Sequence, residues 1–329
     1  MITIKEIAEL AKVSSATVSR VLNNSGYVSN HARERIVKVI EETGYVPSEH
    51  AKGLRMKRTK VIGVILPKMH TETSSRVVNG IDEELAKKGY QILLANTNLK
   101  PEKEIEYLKL LKSRQVDGII LLATNINENL VAEIQQLSIP FVSVGQDIPG
   151  ALNVVYDDYH AAKDLTTLFI KKGHEKIAFI GVDESDRAVG YLRKQGYLDV
   201  MAEHGLEVKR EWMQKGVFDI QSGYEAMKKI IEGTINLPTA TFAVTDRLAI
   251  GAMQYLKEIR LSVPEQMAVA GVGASEISKY VDPTLTTVDY QNEKAGQEAA
   301  KLILNSIINN EKNLKKITLE YRLLFRDSV

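Results

Sequence analysis

From Lys60 onward the chain alternates short apolar runs with longer stretches of helical periodicity, and this pattern constrains the fold more than any other feature. The runs Val61–Leu66, Gln91–Ala95, Gly118–Ala123, Phe141–Val144, Lys176–Gly181, Ala240–Val244 and Met267–Val272 read as strands. Helical stretches are expected between them, at Ser74–Lys88, Glu102–Arg114, Asp158–Lys172, Val189–Glu203, Gln221–Glu232 and Asp246–Glu258. Strand–helix alternation implies parallel sheets with helices on both faces. The strands outnumber what one small sheet holds, so the expectation is an α/β body of two doubly wound parallel-sheet lobes. Ligands bind such sheets beyond the carboxyl ends of the strands.

The first sixty residues follow a different rule. Thr3-Ile4-Lys5-Glu6 has the form of a capping box, and Ile4, Ile7, Ala8 and Ala11 then mark one apolar stripe. Ser14 is a second N-cap, followed by Val18, Val21 and Leu22 facing inward. A third helix is expected from Asn30 to Thr43, with Gly44 closing it. Two short helices around a tight turn, with a third completing the core, form an all-α helix-turn-helix module. It leaves Ala16, Ser19, Arg20 and Asn23 on the outer face of the second helix.

Charge supports the division. Residues 1–60 hold 11 Lys/Arg against 6 Asp/Glu, while the whole chain of 329 residues has a net charge of only +1. A basic head on a mildly acidic body suits an anionic partner, DNA first. The chain has 0 Cys, which excludes thiol nucleophiles, disulfides and thiolate metal sites and suits a reducing cytoplasm. No apolar run approaches a membrane span, and no secretion signal is read at the start. Enzymatic signatures are missing as well: no P-loop, no nucleophile elbow, no His-Glu-x-x-His. Asp157/Asp158 and Asp183/Glu184 are adjacent in sequence and do not straddle a bond as glycosidase carboxylates must. No enzyme, metal or cofactor is therefore expected.

The segment Val13-Ser14-Ser15-Ala16-Thr17-Val18-Ser19-Arg20-Val21-Leu22-Asn23 resembles the DNA-reading segment of the lactose-repressor (LacI/GalR) family. The resemblance continues through Val28-Ser29, Arg33–Ile36, Gly44-Tyr45-Val46-Pro47 and Ala51–Arg55. It implies a cytoplasmic, homodimeric transcription factor on double-stranded operator DNA, with a body similar to periplasmic sugar-binding proteins. The implied domains are a head at 1–47, a hinge at 48–59 and a body at 60–329. One lobe takes 60–158 and 291–318, the other 159–290 and 319–329. Arg20 can donate twice to guanine, Ala16 can meet a thymine methyl, and Ser15 can bond a base or phosphate. Ser14, at the start of the reading helix, joins the DNA-facing set. Thr3, Thr17, Ser19, Asn23, Ser29 and Tyr45 read as phosphate or positioning groups. Leu54 matches the family's minor-groove wedge.

For the effector, the resemblance implies Arg193 as the binding arginine, with Arg187 at a position that is Arg in some relatives. It also implies Phe218 as a stacking aromatic and Asp246 in the polar pair after a strand. Strand ends add His70, Asn125 and Asp157. Where many relatives place an effector-binding Asp, this chain reads Gly271-Val272-Gly273-Ala274, so the usual carboxylate bond is either missing or supplied by Glu276. Several motifs lean toward the sucrose-operon branch, with trehalose second, so a disaccharide or its phosphate is the expected effector. The alternative is a global carbon-catabolite regulator controlled by a phosphorylated carrier protein. No leucine heptad follows Phe325, so no tetramerising coiled coil is expected.

Overall fold

The computed structural model describes residues 2–45, 58–309 and 313–329. By its internal contacts the chain divides into two units, 1–59 and 60–329. Leu54, expected as the hinge's minor-groove wedge, lies outside the described residues.

In the head, α1 (Ile4–Leu10), α2 (Ser15–Leu22) and α3 (Asn30–Thr43) each begin on a hydroxyl cap, at Thr3, Ser14 and Ser29. Both bonds of the capping box between Thr3 and Glu6 are made. Each cap satisfies a backbone amide that the first helical turn leaves without a partner. Gly44 ends α3 at φ +61°, a conformation that any other residue would adopt at a cost. Ile7, Ala8, Ala11, Val18, Val21 and Ile36 form the core, so one small apolar cluster holds the three helices.

The body contains two six-stranded sheets. The first is built from β1 (Val61–Leu66), β2 (Gln91–Asn96), β3 (Gly118–Leu122), β4 (Phe141–Val144), β5 (Leu152–Tyr156) and β11 (Lys316–Leu319), in the order β11-β5-β4-β3-β1-β2. All its pairings are parallel. The second combines β6 (Ile177–Gly181), β7 (Met213–Lys215), β8 (Ala240–Ala243), β9 (Ala268–Val272), β10 (Thr286–Asp289) and β12 (Arg322–Leu324). Its order is β12-β10-β9-β8-β6-β7, and only the β10–β12 pair is antiparallel.

Helices cover both sheets. α4 (Glu72–Ala86) and α11 (Asn292–Asn309) share one face of the first sheet, while α5 (Pro101–Ser113) and α6 (Glu128–Gln135) cover the other. α7 (Asp158–Lys171), α8 (Arg193–Glu203), α9 (Ile220–Glu232) and α10 (Asp246–Glu258) pack around the second. The chain passes between sheets after β5, after β10 and after β11. Parallel strands end on the same side of their sheet, so the loops after them meet where the two lobes face each other.

The stretch Val189–Glu203 is not one α-helix as expected. Residues Arg187–Leu192 form a π-helical turn before α8 begins at Arg193. Asp186 starts it: its carbonyl accepts from the amides of both Gly190 and Tyr191, and its carboxylate accepts from that of Val189. Such turns re-aim the residues that follow, and they gather at functional sites.

Candidate functional site

In the head, the outer face of α2 is open to solvent. Ser15, Ala16, Arg20 and Asn23 are exposed there, and Thr17 and Ser19 are half-buried. The Arg20 side chain lies over Gly26 and makes no hydrogen bond or ion pair among the described residues. Asn23 instead folds back, donating to the Ser19 carbonyl at 2.8 Å and the Ser19 hydroxyl at 3.2 Å. Ser14 and Thr17 share a 2.9 Å bond between hydroxyls. Thr3 and Ser29 are N-caps, and Tyr45 packs against the head's core.

In the body a cavity of about 690 Å³ opens at the strand ends, between the lobes. That volume lies inside the ~300–1,000 Å³ range of small-molecule sites. Its floor is a buried polar cluster. Arg193 donates from Nε and Nη2 to Asp158 Oδ1 at 2.7 and 2.6 Å, and from Nη1 to the Val244 carbonyl. The Tyr290 hydroxyl donates to the same Asp158 oxygen at 3.0 Å, and the Tyr290 ring lies 5.1 Å from the guanidinium. Burial alone disfavours the Arg193 charge, but Tyr290 and Asp158 more than reverse this, and its pKa stands above the ordinary arginine value.

A second buried carboxylate crosses the lobes. Gln146, after β4, donates to Asp186 Oδ1 at 2.7 Å and accepts from the Ala188 amide. Burial pushes the Asp186 carboxyl up to about 6, against the opposing bonds from Val189 and Gln146. Behind the first-lobe wall, Glu104 accepts from Asn125 Nδ2 at 2.6 Å, and burial pushes its carboxyl up to about 7.

At the mouth, several bonds join the lobes. Lys68 Nζ donates to the Val217 carbonyl (3.4 Å), Arg247 Nη1 to the His70 carbonyl (3.3 Å) and Arg76 Nη1 to the Ala274 carbonyl (3.3 Å). The Glu276 amide donates to Glu72 Oε1 (2.6 Å). Phe218 lines the cavity at φ +64°, a left-handed backbone unusual for an aromatic and a local store of strain at the wall. Gly271 lets the β9 end approach Asp246, since a Cβ there would come within 2.6 Å of Asp246 Oδ1.

Residues 59–326 match the family described as periplasmic binding proteins and sugar binding domain of LacI family, and residues 3–48 match the bacterial regulatory proteins of the lacI family. The chain belongs to the LacI family. It is similar throughout to the probable transcriptional repressor ExuR of Bacillus subtilis (strain 168), at 32% identity over 100% of this chain and 98% of the relative. Among solved structures, the regulator CelR in complex with cellobiose is 27% identical, covered fully on both sides, with a TM-score of 0.76. The lac repressor dimer bound to operator and the anti-inducer ONPF shares the fold at 23% identity, with a TM-score of 0.88 over 99% of this chain and 98% of that one. The chain is thus a DNA-binding transcriptional repressor with a ligand-responsive body, and not an enzyme. No helix among the described residues is long and apolar enough to cross a membrane.

The cleft gathers His70, Arg193, Phe218, Asp246 and Glu276 but not the other expected residues. Arg187 does not line the cavity: it starts the π-turn and lies over the Tyr191 ring at 5.1 Å. Asn125 is turned away, bonded to Glu104 and Asn127. Asp157 caps α7 and bonds His160. Glu276 lines the cavity with an exposed side chain whose carboxylate is bonded to Lys279 and Tyr280. Asp246 is buried, accepting from Thr287 Oγ1 and from the Ser275 amide, and burial raises its pKa.

Sequence reasoning missed Asp158, Asp186, Gln146 and Tyr290. Asp158 and Asp186 stand in stretches already singled out. Tyr290 follows a strand, Thr286–Asp289, too polar to be recognised as one.

Proposed function

We propose that this chain represses a sugar-utilisation operon as a homodimer, each head reading half of an operator. A disaccharide or its phosphate, sucrose-type first and trehalose-type second, binds between the lobes and releases the DNA. The observation that carries the reading is the cavity itself: it lies between two lobes, has an aromatic wall at Phe218, and is bridged by bonds that a ligand can break or replace. The cellobiose in the CelR complex is consistent with a disaccharide in such a body. Linkage supplies the mechanism. If ligand and DNA favour different lobe arrangements, a coupling of about 1–3 kcal/mol changes operator affinity about 5–150-fold.

The test is operator binding by the full chain, with and without a panel of sugars and sugar phosphates. A disaccharide or its phosphate should weaken binding at least several-fold. A response only to a phosphorylated carrier protein would replace the reading with catabolite control. Leu54→Ala should lower operator affinity and DNA bending while leaving the melting temperature unchanged; a drop of many degrees would place Leu54 in a folded core instead.

A further inference from the structure

The mouth of the cleft holds its acids and its bases differently. Glu72 accepts the Glu276 amide, and Glu276 is engaged by Lys279 and Tyr280. Asp246 is occupied by Thr287 and Ser275, and Asp219 caps α9 by accepting from the Ser222 amide at 2.8 Å. Each nearby acid therefore has a donor. The bases Lys68 and Arg247 both lie near enough to Asp219 to help hold its carboxyl down, but neither makes a hydrogen bond or close ion pair with a carboxylate among the described residues; each bonds only a neutral carbonyl. Both flank one short loop, since Lys68 and His70 belong to it and Arg247 bonds the His70 carbonyl.

Two donors on the second-lobe wall are also unused. Arg247 Nε is buried with no hydrogen-bond partner; the Ser275 hydroxyl, in a residue only 9% exposed, also makes no bond of good geometry, though it lies beside the Asp246 carboxylate and helps to hold its pKa down against burial. Both residues line the cavity. A buried donor without an acceptor costs about 1–3 kcal/mol, more when it is charged, so such groups mark a place where an acceptor belongs. A guanidinium edge beside a hydroxyl and a second cation matches the oxygens of a carboxylate or phosphate better than an isolated sugar hydroxyl.

We propose that Arg247, Ser275 and Lys68 form a subsite for an anionic group, carboxylate or phosphate, on the effector. This rests on the effector reading above and deepens it: anion recognition passes from Arg187, which lies outside the cavity, to Arg247. The ligand's anion bonds Arg247 Nε and the Ser275 hydroxyl, and Lys68 supplies the second positive charge from the opposite lobe. Because Lys68 and Arg247 also make two of the bonds that bridge the mouth, the anion acts on the contacts that join the lobes.

Calorimetry on the full chain tests this with sucrose, sucrose 6-phosphate, D-glucuronate and orthophosphate, in wild type, Arg247→Gln, Arg247→Lys and Ser275→Ala. Sucrose 6-phosphate or glucuronate should bind at least about tenfold more tightly than sucrose. Arg247→Gln should weaken sucrose 6-phosphate or glucuronate by about tenfold more than it changes sucrose, and Arg247→Lys should restore part of that difference. Preference for glucuronate assigns the anion to a carboxylate, and preference for sucrose 6-phosphate to a phosphate; orthophosphate bound through Arg247 also supports the subsite. If sucrose binds best and releases operator while Arg247→Gln changes nothing, the subsite is wrong and the effector reading stands. If no probe binds, both fall.

Discussion

Arg20 in the head and Arg193 in the cleft are both arginines matched to recognition roles, yet the protein holds them in opposite ways. Arg20 is exposed on a short helix and free of hydrogen bonds and ion pairs among the described residues. The Arg193 side chain is only 7% exposed and is fixed by Asp158, the Val244 carbonyl and Tyr290. A group that reads DNA can wait in water, because the partner brings the acceptors. A group at the floor of a closing cleft must be desolvated beforehand, so the fold supplies its partners. Arg193 is therefore a structural clamp at the cavity floor, which its sequence match alone does not reveal.

The strongest way to break this contrast is Arg193→Ala. Removing one partner of a buried pair leaves the other charge uncompensated, at a cost of about 3–5 kcal/mol. The variant should therefore melt well below wild type and lose ligand binding. Normal melting with ligand binding alone impaired would show that Asp158 does not depend on the arginine.

A somewhat smaller effect is expected from Glu104. With its carboxyl pushed up to about 7, the folded chain keeps a proton that the unfolded chain releases near 4.5. Stability from this site is therefore highest at acid pH and falls as pH rises through 4.5 to 7, by on the order of 3 kcal/mol. Asp186 adds a similar trend between 3.8 and about 6. Glu104→Gln should raise the melting temperature at pH 8, do little at pH 4.5, and flatten the curve between. Parallel curves for variant and wild type would mean that Glu104 is already charged across that range.

The smallest effect on the fold, and a specific one on function, belongs to Arg20→Ala. Stability should change by no more than about 0.5 kcal/mol, as for most exposed positions. Operator binding should weaken by about 1–3 kcal/mol, while binding to random DNA changes little. Equal losses on both DNAs would make Arg20 a phosphate contact and remove half of the comparison.

The two regions also differ in how much of them the sequence discloses. In the head, the caps at Thr3 and Ser14 and the bounds of Asn30–Thr43 are as expected, while the cap at Ser29 was not read from the sequence. In the body, Val61–Leu66 and Phe141–Val144 also agree at both ends, because continuous apolar runs survive as buried strands. Leu152–Tyr156 and Thr286–Asp289 were not recognised, since their polar residues find partners only after folding. Thr286 and Thr287 are fully buried and bonded to the Arg326 carbonyl and to Asp246.

The sequence by itself determined the module types: a capped three-helix head, an alternating α/β body, and the family to which both belong. Those depend on capping, periodicity and short motifs, which act over a few residues. Only the tertiary structure decided which residues share the cleft. Arg187 and Arg193 stand six positions apart, and the π-turn between them leaves one outside and buries the other. Asp158, Tyr290 and Arg193 meet across 132 residues of chain, and Arg247 faces His70 across 177. Contacts of that range are set by how the sheets stack their strand ends, and no local pattern encodes them.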